Sequence, residues 1–319
     1  LKLLFLSFLI LLGLAIALFG YYIYSPTPVI PKLSGILSKG SIKYAGIERS
    51  YRLYVPLGLP KNAPLLMVMH GSGESAAQIR VETGYEFERL ADQHGFTVIY
   101  PNSYSSDWND CSKIGDFSVN GVEVDDVGFL NSLVDKLVRE NSVDPKRVFA
   151  TGVSSGGFMS MRLALESSSR FRAIAAVSAN VPAPENFKCK SVKGGTSVMI
   201  MDGTKDPLVP YSGGEVSLLG LFYKGGGVLS TPESGQYFAE HNQIANAPQI
   251  DQTTVIDDAG VEQVNWRNDG KVAVELVVIH GGGHGLPQQY YRRPRLLGPS
   301  PMEPDGPALI WSFFEQQQP

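Results

Sequence analysis

Six short blocks of this chain are almost continuously apolar: PLLMVMHG (64–71), FTVIYPN (96–102), RVFATG (147–152), IAAVSAN (174–180), SVMIMDG (197–203) and VAVELVVIHG (272–281). A strand that faces water on one side alternates apolar and polar residues, so unbroken runs of this length imply strands covered on both faces. Between them the period changes. In VDDVGFLNSLVDKLVREN (124–141), Val127, Leu130, Val134, Leu137 and Val138 fall on one helical face, and Asn141 and Pro145 supply stop signals. Strand and helix alternating in this way predict an α/β chain built on a mostly parallel, doubly wound sheet. SIKYAG (41–46) and YRLYVPL (51–57) are close enough to pair as an antiparallel hairpin at its edge.

The ends of the pattern set the organisation. LKLLFLSFLILLGLAIALFGYYIY (1–24) is apolar after Lys2, long enough to cross a hydrocarbon layer, and closes on Tyr21, Tyr22 and Tyr24, as an interfacial aromatic belt would. Ala15-Ile16-Ala17 also reads as a small-x-small cleavage site, so residues 1–24 fit a signal peptide and an N-terminal membrane anchor equally. With Lys2 on the inner side, both readings put the rest of the chain outside the cytoplasm, secreted or anchored. SPTPVIPKLSG (25–35) has no period and three prolines, which predicts a tether over 25–40 and a folded domain over 41–319. The Gly-rich stretch Tyr211–Gly235 reads either as a flap over a site or as a surface insertion.

Charge narrows the partners. A net charge of −4, with no basic run beyond Arg292-Arg293-Pro294-Arg295, excludes an electrostatic grip on nucleic acid and favours a small, neutral or apolar ligand. The two cysteines, Cys111 and Cys189, lie in the exported part, where a disulfide can form, but their spacing leaves paired and free states open. No Cys/His spacing suits zinc, and nothing calls for a metal or another cofactor.

The chemistry concentrates in TGVSSGGFMS (151–160). A serine on a sharp turn from strand to helix needs glycine two positions to either side, because the backbone there is crowded. Ser154 has Gly152 and Gly156, whereas Ser155 has Val153 on the crowded side, and the strand RVFATG and helix SSGGFMSMRLALE supply the required context. A serine hydroxyl needs a base. Of five histidines, His94, His241 and His280 sit at a helix end, in a helical run and at a strand end, where structural roles are expected, and His70 suits a hydrogen bond holding its own loop. His284 in GGGHGLP follows the last apolar strand on a flexible glycine run and is the expected base. Its orienting carboxylate is Asp206, in the loop after SVMIMDG; Asp202 would cap the turn at Gly203, and Asp257 and Asp258 read as turn residues. MVMHGSGES (67–75) offers a loop able to aim backbone donors at an oxyanion, pairing the amide of Ser72 with that of Ser155. His70 is also a candidate for substrate contact, and Trp108 fits a wall of the site, an exposed position or the core equally.

With HGSGES, VDDVGFLNSLVDKL, VDPKRVFATGVSSGGFMS, DGTKDPLVPY, GGGHGLP and ALIWSFFEQ in this order, the chain resembles the esterase family that includes polyhydroxybutyrate depolymerases and feruloyl or acetylxylan esterases. The resemblance implies the α/β-hydrolase fold, a triad at Ser154, Asp206 and His284, and a small-molecule or polymeric ester as substrate. This chain departs from the pattern at Ser72, where members often have cysteine, and at Gly285-Leu286-Pro287, where they often have Thr-Trp-Pro. Two further classes fit the same residues: a serine peptidase-like hydrolase, and a membrane-tethered binding protein that keeps the fold without its chemistry.

Overall fold

The computed structural model describes residues 2–114, 118–119, 122–141, 143–192, 195–218, 220, 224–256, 259–267 and 273–317. Asp257 and Asp258 lie outside the described residues, as does part of the apolar centre of the 211–235 segment. Ten strands form one sheet: β1 (Ile36–Tyr44), β2 (Ile47–Val55), β3 (Ala63–Met69), β4 (Thr97–Pro101), β5 (Val143–Val153), β6 (Ala173–Val177), β7 (Ser197–Gly203), β8 (Gln249–Ile256), β9 (Ala259–Arg267) and β10 (Ala273–His280). Their spatial order is β1-β2-β4-β3-β5-β6-β7-β10-β9-β8. The six inner strands, β4 to β10 in that order, pair in parallel, and antiparallel ribbons flank them on both sides.

The inner strands are buried along nearly their whole length, β5 from Val148 onward, as their unbroken apolar runs require. Successive residues alternate between two cores. Leu65, Met67 and Met69 of β3 face one, together with helices α4 (Asp126–Asn141), α5 (Ser155–Glu166) and α6 (Thr231–His241). Leu66 and Val68 face the other, with α2 (Ala76–Glu82), α3 (Glu86–His94) and α7 (Gly306–Gln316). The sheet is therefore doubly wound, an α/β-hydrolase architecture.

One boundary and one element differ from the sequence reading. β1 begins at Ile36, so residues 36–40 are not tether: Ile36 pairs with Val55 and Gly40 with Tyr51. A Cβ at Gly40 would meet the Tyr51 ring at 2.5 Å, which makes glycine the residue that lets the aromatic lie across the strand. The β8–β9 hairpin has no counterpart in the sequence reading; it extends the sheet beyond β10. At the other end α1 (Lys2–Ile23) is one apolar helix, none of whose most hydrophobic window is buried against the domain. Its 22 residues span about 33 Å at the usual helical rise, matching a hydrocarbon layer and fitting a signal sequence as well as an anchor.

Cys111 and Cys189 are joined in a disulfide, with Cα atoms 4.9 Å apart. It fastens the loop after β4 to the segment before β7, where Lys188 N–H also donates to Cys111 O at 2.9 Å.

Candidate active site

Parallel strands all present their carboxyl ends at one rim, and loops leaving that rim gather side chains that are far apart in sequence. Ser154 leaves β5 with φ 57° and ψ −121°, a strained turn held by its N–H donating to Val177 O at the end of β6, 2.9 Å. The crowding that demands glycine is explicit: a Cβ at Gly152 would lie 2.3 Å from the carbonyl carbon of Gly156, and one at Gly156 would lie 2.3 Å from Met69 O. Nothing caps α5 through the Ser154 side chain, which instead lines a cavity.

Asp206 and His284 come together. Asp206 follows β7 and His284 follows β10; His284 Nδ1–H donates to Asp206 Oδ2 at 2.7 Å, with both side chains only 1% exposed. The carboxylate is an acceptor only, so the proton sits on Nδ1 and Nε2 keeps its lone pair. Asp206 Oδ1 is occupied separately by the N–H groups of Leu208 and Val209, at 2.8 and 2.9 Å, which fixes the carboxylate plane. The histidine loop is joined to the serine turn through β6: Gly285 N–H donates to Ser178 Oγ at 2.8 Å, one residue past the carbonyl that holds Ser154.

Asp202 does not cap its turn. It is buried, accepting from Thr231 Oγ1 at 2.5 Å and Ala179 N–H at 3.2 Å, and burial pushes its carboxyl up to about 7, against the pull of the Thr231 hydroxyl. Because the folded carboxyl holds its proton to about 7 while the unfolded one sheds it near 4, its contribution to stability is complete below pH 4. That contribution is lost as pH rises through 7. Thermal melting of Asp202→Asn is expected to fall less steeply than the parent between pH 4 and 7; parallel slopes would refute this account.

The other histidines are engaged elsewhere. His94 pairs with Glu315, His241 with Ser191, and His280 with Glu262, at 2.9, 2.8 and 3.2 Å. His70 donates from Nδ1 to Gly71 O at 2.8 Å and accepts Ser103 N–H at Nε2, 3.0 Å, while burial holds it below its ordinary pKa, in the neutral form. Trp108 is fully buried, its indole N–H donating to His70 O at 2.9 Å. Neither residue lines the cavity beside Ser154: His70 holds its own loop by hydrogen bonds, as one sequence reading had it, and Trp108 packs against it with ring centroids 5.1 Å apart.

No acceptor for the Ser72 or the Ser155 backbone N–H is found among the described residues. The cavity at Ser154 measures about 200 Å³, with an apolar wall of Ile114, Phe158, Leu208, Val216 and Leu218. Asp107 and Asp110 line its polar side; neither emerged from the sequence, since SSDWND has no periodicity and sits far from the motifs it serves. Burial pushes the Asp110 carboxyl up to about 6. A larger cavity, about 430 Å³, lies between Tyr24 and Arg292–Ser300, but none of Ser154, Asp206 and His284 faces it.

The family profile described as esterase PHB depolymerase matches residues 49–209. A Nocardia uniformis subsp. tsuyamanensis protein that bears an esterase name, NocK, is 27% identical over 286 residues, covering 86% of this chain and 81% of that protein. Poly(3-hydroxyalkanoate) depolymerase C of Paucimonas lemoignei is 27% identical over 250 residues, 73% of this chain and 58% of that enzyme, so the chain spans little over half of its length. Among solved structures, acetyl xylan esterase from Aspergillus awamori aligns with a TM-score of 0.52 and 18% identity, over 78% of this chain and 94% of that one, a likeness of fold.

Proposed function

This chain belongs to the esterase PHB depolymerase family, a serine-type ester hydrolase by that membership, and from this premise we propose that it transfers acyl groups through Ser154, His284 and Asp206. Ser154 Oγ attacks the ester carbonyl as His284 Nε2 takes its proton; the carbonyl oxygen gains the negative charge and is met by the N–H groups of Ser72 and Ser155. The tetrahedral species collapses, His284 returns the proton to the departing alcohol, and water repeats the sequence on the acyl-serine. Asp206 holds the imidazole in the tautomer that can accept at Nε2. The observation that carries this reading is the 2.7 Å Asp206–His284 pair at the same rim as the strained Ser154 turn.

The cavity supports a substrate class. An apolar cavity of roughly 150 Å³ accommodates benzene, so about 200 Å³ beside Ser154 suits a short acyl or hydroxyacyl chain or a single ring. Polyester, acetyl and feruloyl esters, which the names of relatives mention, all present such a group. The apolar α1 and the disulfide support a place outside the cytoplasm.

A panel of p-nitrophenyl esters of increasing acyl length, run beside methyl ferulate and a polyester emulsion, tests the reading. Turnover should be highest for short acyl groups and fall once the chain outgrows the cavity, and a fluorophosphonate should attach to the peptide that contains Ser154. No label and no ester turnover would overturn it.

A further inference from the structure

We propose that Asp107 is a positioning residue that sets the spacing of the two oxyanion donors, an inference that rests on the acyl-transfer reading above. The donors belong to separate elements, Ser72 to the loop after β3 and Ser155 to the first turn of α5. Asp107, from the loop after β4, bridges them: Oδ2 accepts Ser72 Oγ–H at 3.0 Å, and Oδ1 accepts Ser155 Oγ–H at 2.5 Å and Trp108 N–H at 3.1 Å. Its neighbours extend the brace. Ser106 O accepts Gly73 N–H at 2.7 Å, and the Trp108 indole holds His70 O. The chain makes this staple at a cost, because Ser106 stands at φ 61°, a left-handed conformation that a serine adopts only under constraint.

The need for such a brace follows from the geometry of charge development. An oxyanion hole works when its donors lie about 2.7–3.1 Å from the position the oxygen will occupy, and losing one donor costs about 10²–10³ in rate. Among the described residues Ser72 N–H and Ser155 N–H have no acceptor of their own, and the direct tie between their two elements runs through their side chains. Both of those side chains end on one carboxylate.

Electrostatics alone would not put a carboxylate here. A negative charge close to a developing oxyanion opposes it, so the gain must come from geometry. Asparagine therefore discriminates: its oxygen can accept from one serine hydroxyl while its amide donates to the oxygen of the other, keeping the bridge without the charge. With Asp107→Ala, kcat for a short p-nitrophenyl ester should fall about 10- to 100-fold, the scale of an ångström-sized misplacement, with KM within about threefold of the parent. Asp107→Asn should restore most of that loss. In the Ser72→Ala/Ser155→Ala background, where the bridge has already gone, adding Asp107→Ala should cost little more.

Fluorophosphonate labelling of Ser154 and the melting temperature show that each variant remains folded, and Asp107→Asn serves if Asp107→Ala does not fold. An unchanged kcat in Asp107→Ala, a loss that falls entirely on KM, or an Asp107→Asn as slow as Asp107→Ala would overturn the proposal. Those results with an inactive Ser154→Ala defeat the brace alone; an active Ser154→Ala defeats the acyl-transfer reading beneath it.

Discussion

Ser154→Ala is expected to lower kcat for ester hydrolysis about 10⁶-fold, the scale on which a serine hydrolase loses its nucleophile. The size follows from what is removed. Without Oγ no acyl-enzyme forms, and water must attack an ester that only the oxyanion donors and the cavity hold in place, which leaves a residual rate enhancement of about 10³–10⁴. The fold should not suffer, because the Ser154 side chain caps nothing and alanine inherits the same backbone turn. KM for a short ester is expected to hold, since the apolar wall of the cavity is intact. Steady-state kinetics on p-nitrophenyl butyrate, with fluorophosphonate labelling in parallel, measures it. Ser155 is no substitute nucleophile: its hydroxyl donates to the Asp107 carboxylate at 2.5 Å and not to an imidazole. Residual activity above a thousandth of the parent in pure Ser154→Ala would place the nucleophile elsewhere.

The parts of this molecule that were legible in the sequence are those where one physical demand dominates. β3, β4, β6, β7, β10 and the part of β5 from Val148 onward are covered on both faces, which makes most of their residues apolar. Gly152 and Gly156 around Ser154 are dictated by backbone contact and could be read without neighbours. What escaped was relational. β8 and β9, QIDQTTVI and AGVEQVNWR, lie at an edge where polar residues are tolerated, so the hairpin lacks an apolar run to announce it. ILSKG (36–40) resembles linker until it is paired with Tyr51–Val55. The tie between Cys111 and Cys189 spans 78 residues, and Asp107 acquires meaning only when Ser72 and Ser155 arrive on either side of it. Trp108 was open for the same reason: site lining and core fitted its local sequence equally, and the core position shows only in its burial and in the indole N–H it gives to the His70 carbonyl.

Asp206→Asn is expected to lower kcat about 10⁴-fold with KM nearly unchanged, the loss that follows when the base is left in the wrong tautomer. The two oxygens of Asp206 have separate duties, and asparagine can discharge only one. If its oxygen takes the Oδ1 position, it keeps the N–H groups of Leu208 and Val209, but its NH₂ then faces His284 Nδ1. A donor there forces Nδ1 to accept, moves the proton to Nε2, and leaves no lone pair to receive the proton of Ser154. If the amide flips, the tautomer is restored, but two backbone donors face an NH₂ and the loop after β7 loses its hold. The first arrangement makes three hydrogen bonds against one, so the folded variant is stable and slow. It should also lack the charge that stabilises the imidazolium, so fluorophosphonate labelling slows together with turnover. Asp202→Asn is the control, because Asp202 meets Thr231 and Ala179 rather than the base, and its turnover should stay close to the parent's. If Asp202→Asn proved the slower of the two while Asp206→Asn stayed within tenfold of the parent, the carboxylate that orients the base would be the one at the end of β7.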